Sequence, residues 1–178
     1  MVFVTPALEV ERIQDIYVRP NGWEMKPGAT KANGLTTELL MHIGQPVEVA
    51  LDAYEAAIKA GRVMVAYNSQ FDLKIMRGEL RRAGRPDLFE ETPNICLMRA
   101  FKAYRKIYKG YKLSDACTFF GIPYERGHEA PADALMCLEV FRRLRPLGAT
   151  PDPKVYYSKH YAETVSYTHL TLPTNREV

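Results

Sequence analysis

The chain has 178 residues, 47% hydrophobic and 25% charged, with a formal net charge of +3 at pH 7. That length supplies one domain with a real core, and the charge is too small to imply a polyanionic partner unless the basic residues cluster. Three cysteines without metal-ligand spacing speak against a disulfide framework, no run approaches the roughly 18 apolar residues of a membrane span, and Met1 to Val10 carries no basic leader region, so we expect a cytoplasmic protein with no membrane partner.

Val2 to Thr5 is strand-like, Pro6 to Glu9 reads as a turn, and Val10 to Val18 is a β-rich segment closed by Arg19-Pro20, together a hairpin. Asn21 to Gly34, rich in Gly, Pro and Asn and holding the single Trp23, reads as a loop leading to a short helix that Thr36 caps. Pro46 opens an amphipathic helix with Val47, Ala50, Leu51, Tyr54 and Ile58 on one side and Gly61 behind it. A short strand, Val63 to Ala66, passes through Asn68 into a helix from Ser69 to Ala83, which Gly84 and Pro86 end. Asn94 to Met98 predicts another strand.

Between Arg99 and Lys112 lie six basic residues, Arg99, Lys102, Arg105, Lys106, Lys109 and Lys112, with no acidic residue and with Phe101, Tyr104, Tyr108 and Tyr111 interleaved. Such a run suits a phosphate backbone and unstacked bases; the alternative is a solvated helix end with tyrosines packed under it. Ser114 to Phe120 predicts a short helix stopped by Gly121, and Ala130 to Leu147 the last long one.

Two carboxylates stand out. Asp72 is followed by Ile75, Met76, Leu80 and Ala83, and Asp133 by Met136, Cys137, Val140, Phe141 and Leu144, so helical spacing puts each Asp at the head of an apolar stripe. A carboxylate there is costly unless it is hydrogen-bonded, paired or bound to a cation, and two such helices can converge on a divalent ion. For Asp72 alone, a first-turn residue that complements the helix dipole and faces solvent is an equal reading. His128, five residues before Asp133, is an imidazole able to take a proton from water near neutral pH.

The stretch Ala66-Tyr67-Asn68-Ser69-Gln70-Phe71-Asp72 resembles the second motif, and His128-x-Ala130-x-x-Asp133 the third, of the DEDDh (DnaQ-like) 3′-to-5′ exonucleases. Pro27-x-Ala29-x-x-x-Asn33-Gly34-Leu35-Thr36 is similar to the turn with which that family borders the terminal nucleotide, with Asn33 in place of the usual His. The resemblance implies an α/β, ribonuclease H-like mixed sheet flanked by helices. It also implies two Mg²⁺ or Mn²⁺ ions, with Asp72 and Asp133 as ligands and His128 as general base. By the same resemblance Asn68 orients the site, and Leu35 and Phe71 border the terminal nucleotide. The partners implied are single-stranded DNA or RNA 3′ ends and, as in the proofreading members, a DNA polymerase.

The family's first motif, Asp-x-Glu on the first strand, has no counterpart anywhere in the chain. Glu9-Val10-Glu11 imitates it in alternation, but a solvated hairpin turn is the favoured reading there. We therefore expect an exonuclease domain over 1–148 that lacks its first strand and has little activity as it stands, the alternative being a non-catalytic module that binds single strands. A peripheral tail is expected over 149–164. Residues 165–178 resemble the translation of a sequencing adapter, and His169 within them is not recruited as a ligand.

Overall fold

The structure, a computed structural model, describes residues 1–88, 90–108, 111–124 and 129–154. The adapter-like segment 165–178 lies outside them. The chain opens with the expected hairpin: β1 (Val2–Val4) runs antiparallel to β2 (Val10–Ile13), Phe3 facing Arg12. Leu8 in the turn is buried at a positive φ of 64°, and the backbone there is held from a distance, because Arg142 Nε donates to the Leu8 carbonyl at 3.0 Å. β2 stops at Ile13 instead of reaching Val18. All four of its residues are exposed, so no buried face rewards a longer ladder, and Val18 keeps only an isolated bridge to Gln45.

The segment expected as a loop between Asn21 and Gly34 contains a helix, α1 (Pro27–Asn33). Its ends follow the helix punctuation that Pro and Gly provide: Pro27 sits at the first turn and Gly34 closes the C-terminus at φ 73°. None of its residues is buried. α2 (Thr37–Ile43) starts as expected, with Thr36 Oγ1 accepting from the Leu39 N–H at 3.0 Å. Gly44 ends it against the Arg19 backbone, and α3 (Val47–Lys59) follows.

A βαβ unit comes next: β3 (Met64–Ala66), α4 (Ser69–Arg82) and β4 (Asn94–Cys96), with the two strands parallel and in register from Met64 beside Asn94 to Ala66 beside Cys96. The second strand is shorter than predicted. Leu97 and Phe101, four apart and fully buried, impose helical spacing at once, and the chain turns directly into α5 (Leu97–Arg105). α6 (Leu113–Phe120) and α7 (Ala130–Leu144) complete the described elements, α7 ending before the expected Leu147.

Strand alternation splits the core into two layers. Met64 turns to Leu51, Tyr54 and Leu80 of α3 and α4, whereas Val65 turns to the larger cluster built by α5, α6 and α7 around Phe101, Cys117, Val140 and Leu144. The three cysteines are free and buried, as expected of core residues.

Among the described residues β1 pairs only with β2, and β3 only with β4. In place of the one mixed sheet expected, the described residues form two small sheets, β1–β2 antiparallel and β3–β4 parallel, with α7 packed against both. Arg62, just ahead of β3, spans them: its guanidinium pairs with Glu11 at 2.8 Å, donates to the Val4 carbonyl at 3.4 Å and lies 5.4 Å from the Phe3 ring. No helix among the described residues is long and apolar enough to cross a membrane.

Candidate active site

A buried polar chain fixes the start of α4. Ser69, its first residue, is fully buried and its Oγ donates to Asn94 Oδ1 on β4 at 2.8 Å. The Asn94 side-chain amide in turn donates to the carbonyls of Thr92 and Lys154. Thr92 gives its own proton to the Leu88 carbonyl, so Tyr54 is the donor in its 2.9 Å bond to Thr92. The buried side chains of Tyr54, Thr92, Asn94 and Ser69 are thus all hydrogen-bonded, and α4 is pinned to the β3–β4 pair three residues before Asp72.

Asp72 itself is half-buried. The buried stripe of α4 runs through Ser69, Leu73 and Leu80, one position away from the stripe predicted for Asp72, and Ile75 is half-exposed at 50%. Asp72 therefore stands at the border of the core instead of on it. Burial still pushes its carboxyl above the usual carboxylate range, with only a hydrogen bond to its own backbone opposing the shift.

Asp133 occupies the equivalent place, the first turn of α7, with its N–H donating to the Glu129 carbonyl at 2.9 Å. Its stripe is as predicted, with Met136, Cys137, Val140 and Leu144 buried. The Tyr124 hydroxyl approaches Asp133 Oδ1 at 3.4 Å. Nothing in the sequence marked Tyr124, which reaches the site from a Pro-containing turn nine residues upstream.

Both carboxylates act on one buried residue, Cys137 of α7. Burial pushes its thiol up to about 12, and the charges of both Asp72 and Asp133 add to the rise. The sulfur thus lies within the field of both carboxylates. The donor set suits a hard divalent cation in type but is incomplete, since no group of three His, Cys, Asp or Glu side chains able to hold a metal occurs among the described residues. Glu11 is engaged with Arg62, and Glu9 lies exposed in the hairpin turn. His128 and Lys109 lie outside the described residues.

The other predicted positions are spread around this centre. Asn68, exposed, precedes α4, and Phe71 is exposed at 63% beside Asp72. Asn33 Oδ1 accepts from the Leu35 N–H at 3.0 Å at the junction of α1 and α2. Helical geometry divides the basic run. Arg99 shares a face with Ala103, Lys102 is half-buried, and Arg105 lies 4.2 Å over the Phe119 ring. Lys106 caps α5 in the left-handed conformation, and Lys112 precedes α6, its N–H bound to Asp115 and its carbonyl to the Tyr67 hydroxyl. Tyr108 is almost wholly exposed.

A family model described as Exonuclease, that of the RNase T type, matches residues 2–141. The chain is also similar to the DNA polymerase III subunit epsilon of Treponema pallidum (strain Nichols), 27% identical over 120 residues, which cover 65% of this chain and 53% of that protein. The chain thus spans about half the length of that curated relative.

Proposed function

Since the chain belongs to the RNase T exonuclease family, a ribonuclease H-like α/β fold, we propose that it is built to hydrolyse phosphodiester bonds at the 3′ end of single-stranded nucleic acid, by the DEDDh division of labour. The observation that carries this reading is that Asp72 and Asp133, each in the first turn of its helix, both act on the buried Cys137 thiol. In that reading both carboxylates hold divalent metal. Mg²⁺ or Mn²⁺ bound there supplies positive charge to the phosphate and a more acidic water. His128 takes the proton of the attacking water. Phe71, exposed next to Asp72, offers a face to the terminal base, and Leu35 closes the other side. Asn68 fixes the entry to α4, and the cations of α5 and its C-terminal end, with Lys109 and Lys112, draw the strand in.

Half of a two-ion site is missing, because no Asp-x-Glu occurs in the chain. The chain as it stands is therefore a poor catalyst, and the same gap favours a second reading, binding of single strands without cleavage. Likeness to a polymerase subunit supports a DNA polymerase as partner and a cytoplasmic setting. The two readings are separated by adding an Asp-x-Glu strand ahead of Val2 and assaying a 5′-labelled single strand with Mn²⁺. Shortening from the 3′ end that Asp133→Ala abolishes, with strand binding kept, supports the nuclease. Equal cleavage by both forms sinks the assigned site, and binding without cleavage by either leaves the second reading.

A further inference from the structure

The stretch after α7 does more than trail away. The Lys154 N–H and carbonyl bond both ways to the Asn94 backbone at 2.9 Å, so the chain returns along the outer edge of β4 and leaves a cleft of about 540 Å³ between itself and α5. That volume lies in the range of small-ligand sites. Its depth comes from two small residues, Ala100 and Ala103, on the α5 wall. Two apolar surfaces border it, Tyr104 at 41% exposure and Leu147 at 49%, and Tyr104 is backed by Phe120 in a near-parallel ring contact. Its cations are Arg99 from α5 and Lys154 from the returning chain; Asp152 also lines it and opposes an anion.

We propose that this cleft binds one nucleotide unit, the base against Tyr104 and Leu147 and the phosphate between Arg99 and Lys154. A flat apolar slot lined by two cations matches a ligand with a planar ring and one or two negative charges. The unit belongs either to a strand whose end lies at the carboxylates or to a free nucleotide. The proposal rests on the nucleic-acid reading above for its ligand class, but not on cleavage.

The test uses the full chain in EDTA, with a fluorescent oligothymidylate read by anisotropy and thymidine monophosphate as competitor. Ala103→Trp, which fills the slot, and Tyr104→Ala each weaken oligonucleotide binding by about fivefold or more, while Tyr104→Phe binds as wild type. Lys154→Gln lowers the dependence of log affinity on log salt by about 0.7. Displacement by the mononucleotide that Ala103→Trp removes assigns the cleft to free nucleotide; no displacement, with the oligonucleotide losses intact, assigns it to the strand. Binding is read in EDTA, where no metal-dependent cleavage occurs, so failure of the nuclease reading and failure of the cleft are told apart. Wild-type binding of both probes by Ala103→Trp, together with a wild-type salt dependence for Lys154→Gln, overturns the proposal.

Discussion

Ser69→Ala tests whether the start of α4 is held by its tie to β4. The substitution removes one oxygen from a site with no solvent access and leaves Asn94 Oδ1, on a residue only 2% exposed, without its 2.8 Å donor. An unsatisfied buried acceptor costs about 1–3 kcal/mol, and in a chain of this size each kcal/mol moves the melting temperature by about 2–4 °C. We expect a fall of about 2–12 °C. In urea the midpoint drops with an unchanged m-value, because the exposed surface on unfolding is the same. Asp72 sits three residues beyond Ser69, so the same variant also weakens Mn²⁺ binding. A loss below about 0.5 kcal/mol would mean that helix packing alone places α4, and the polar chain from Tyr54 to Ser69 would lose its assigned role.

Other outcomes follow from the same structure. The Asp72 carboxyl is raised by burial, so the folded chain holds that proton more tightly than the unfolded one; its contribution is stabilising at low pH and is lost as pH rises through the folded pKa. Asp72→Asn accordingly raises the melting temperature at pH 7 in EDTA, and the difference shrinks as pH falls through the raised folded pKa and is gone below about pH 4. Phe101→Ala, at the centre of edge contacts with Tyr111, Phe119 and Phe120, costs about 3–5 kcal/mol by denaturant titration. At Gly44 a Cβ would meet the Leu40 carbonyl and come within 2.7 Å of the Arg19 backbone, so Gly44→Ala destabilises by about 1–3 kcal/mol and disturbs the turn joining α2 to α3.

The parts of the fold that short-range chemistry dictates were legible. Thr36 caps α2, Pro46 and Gly61 bracket α3, and the stripe from Met136 to Leu144 lies buried on α7. Composition misled where the same residues serve two purposes: Pro27 and Gly34 read as loop formers, yet they stand at the two ends of a helix. Asn94 to Met98 carried enough apolar character for a longer strand, and only the joint burial of Leu97 and Phe101 shows where helix takes over.

Of the candidate site, spacing shows that Asp72 and Asp133 each lie in the first turn of a helix, though the buried stripe of α4 runs one position away from Asp72. What holds those helices in place it does not show. Ser69 meets Asn94 across 25 residues and Asn94 meets Lys154 across 60, contacts that no local pattern encodes. The basic run looked continuous because a sequence is linear. On a helix Arg99 and Arg105 point to different surroundings, one to the cleft beside Ala103 and the other to the Phe119 ring.

The pairing of Asp72 with Asp133 is the claim on which the rest depends, and Mn²⁺ binding to the unmodified chain tests it most directly. Titration followed by electron paramagnetic resonance is predicted to show weak binding that Asp72→Asn and Asp133→Asn each reduce by about tenfold. The double variant should lose little more than either single one, because removing one ligand already breaks the shared site. Affinity unchanged in both single variants, or losses that simply add, would contradict a common cation and with it the proposed active site.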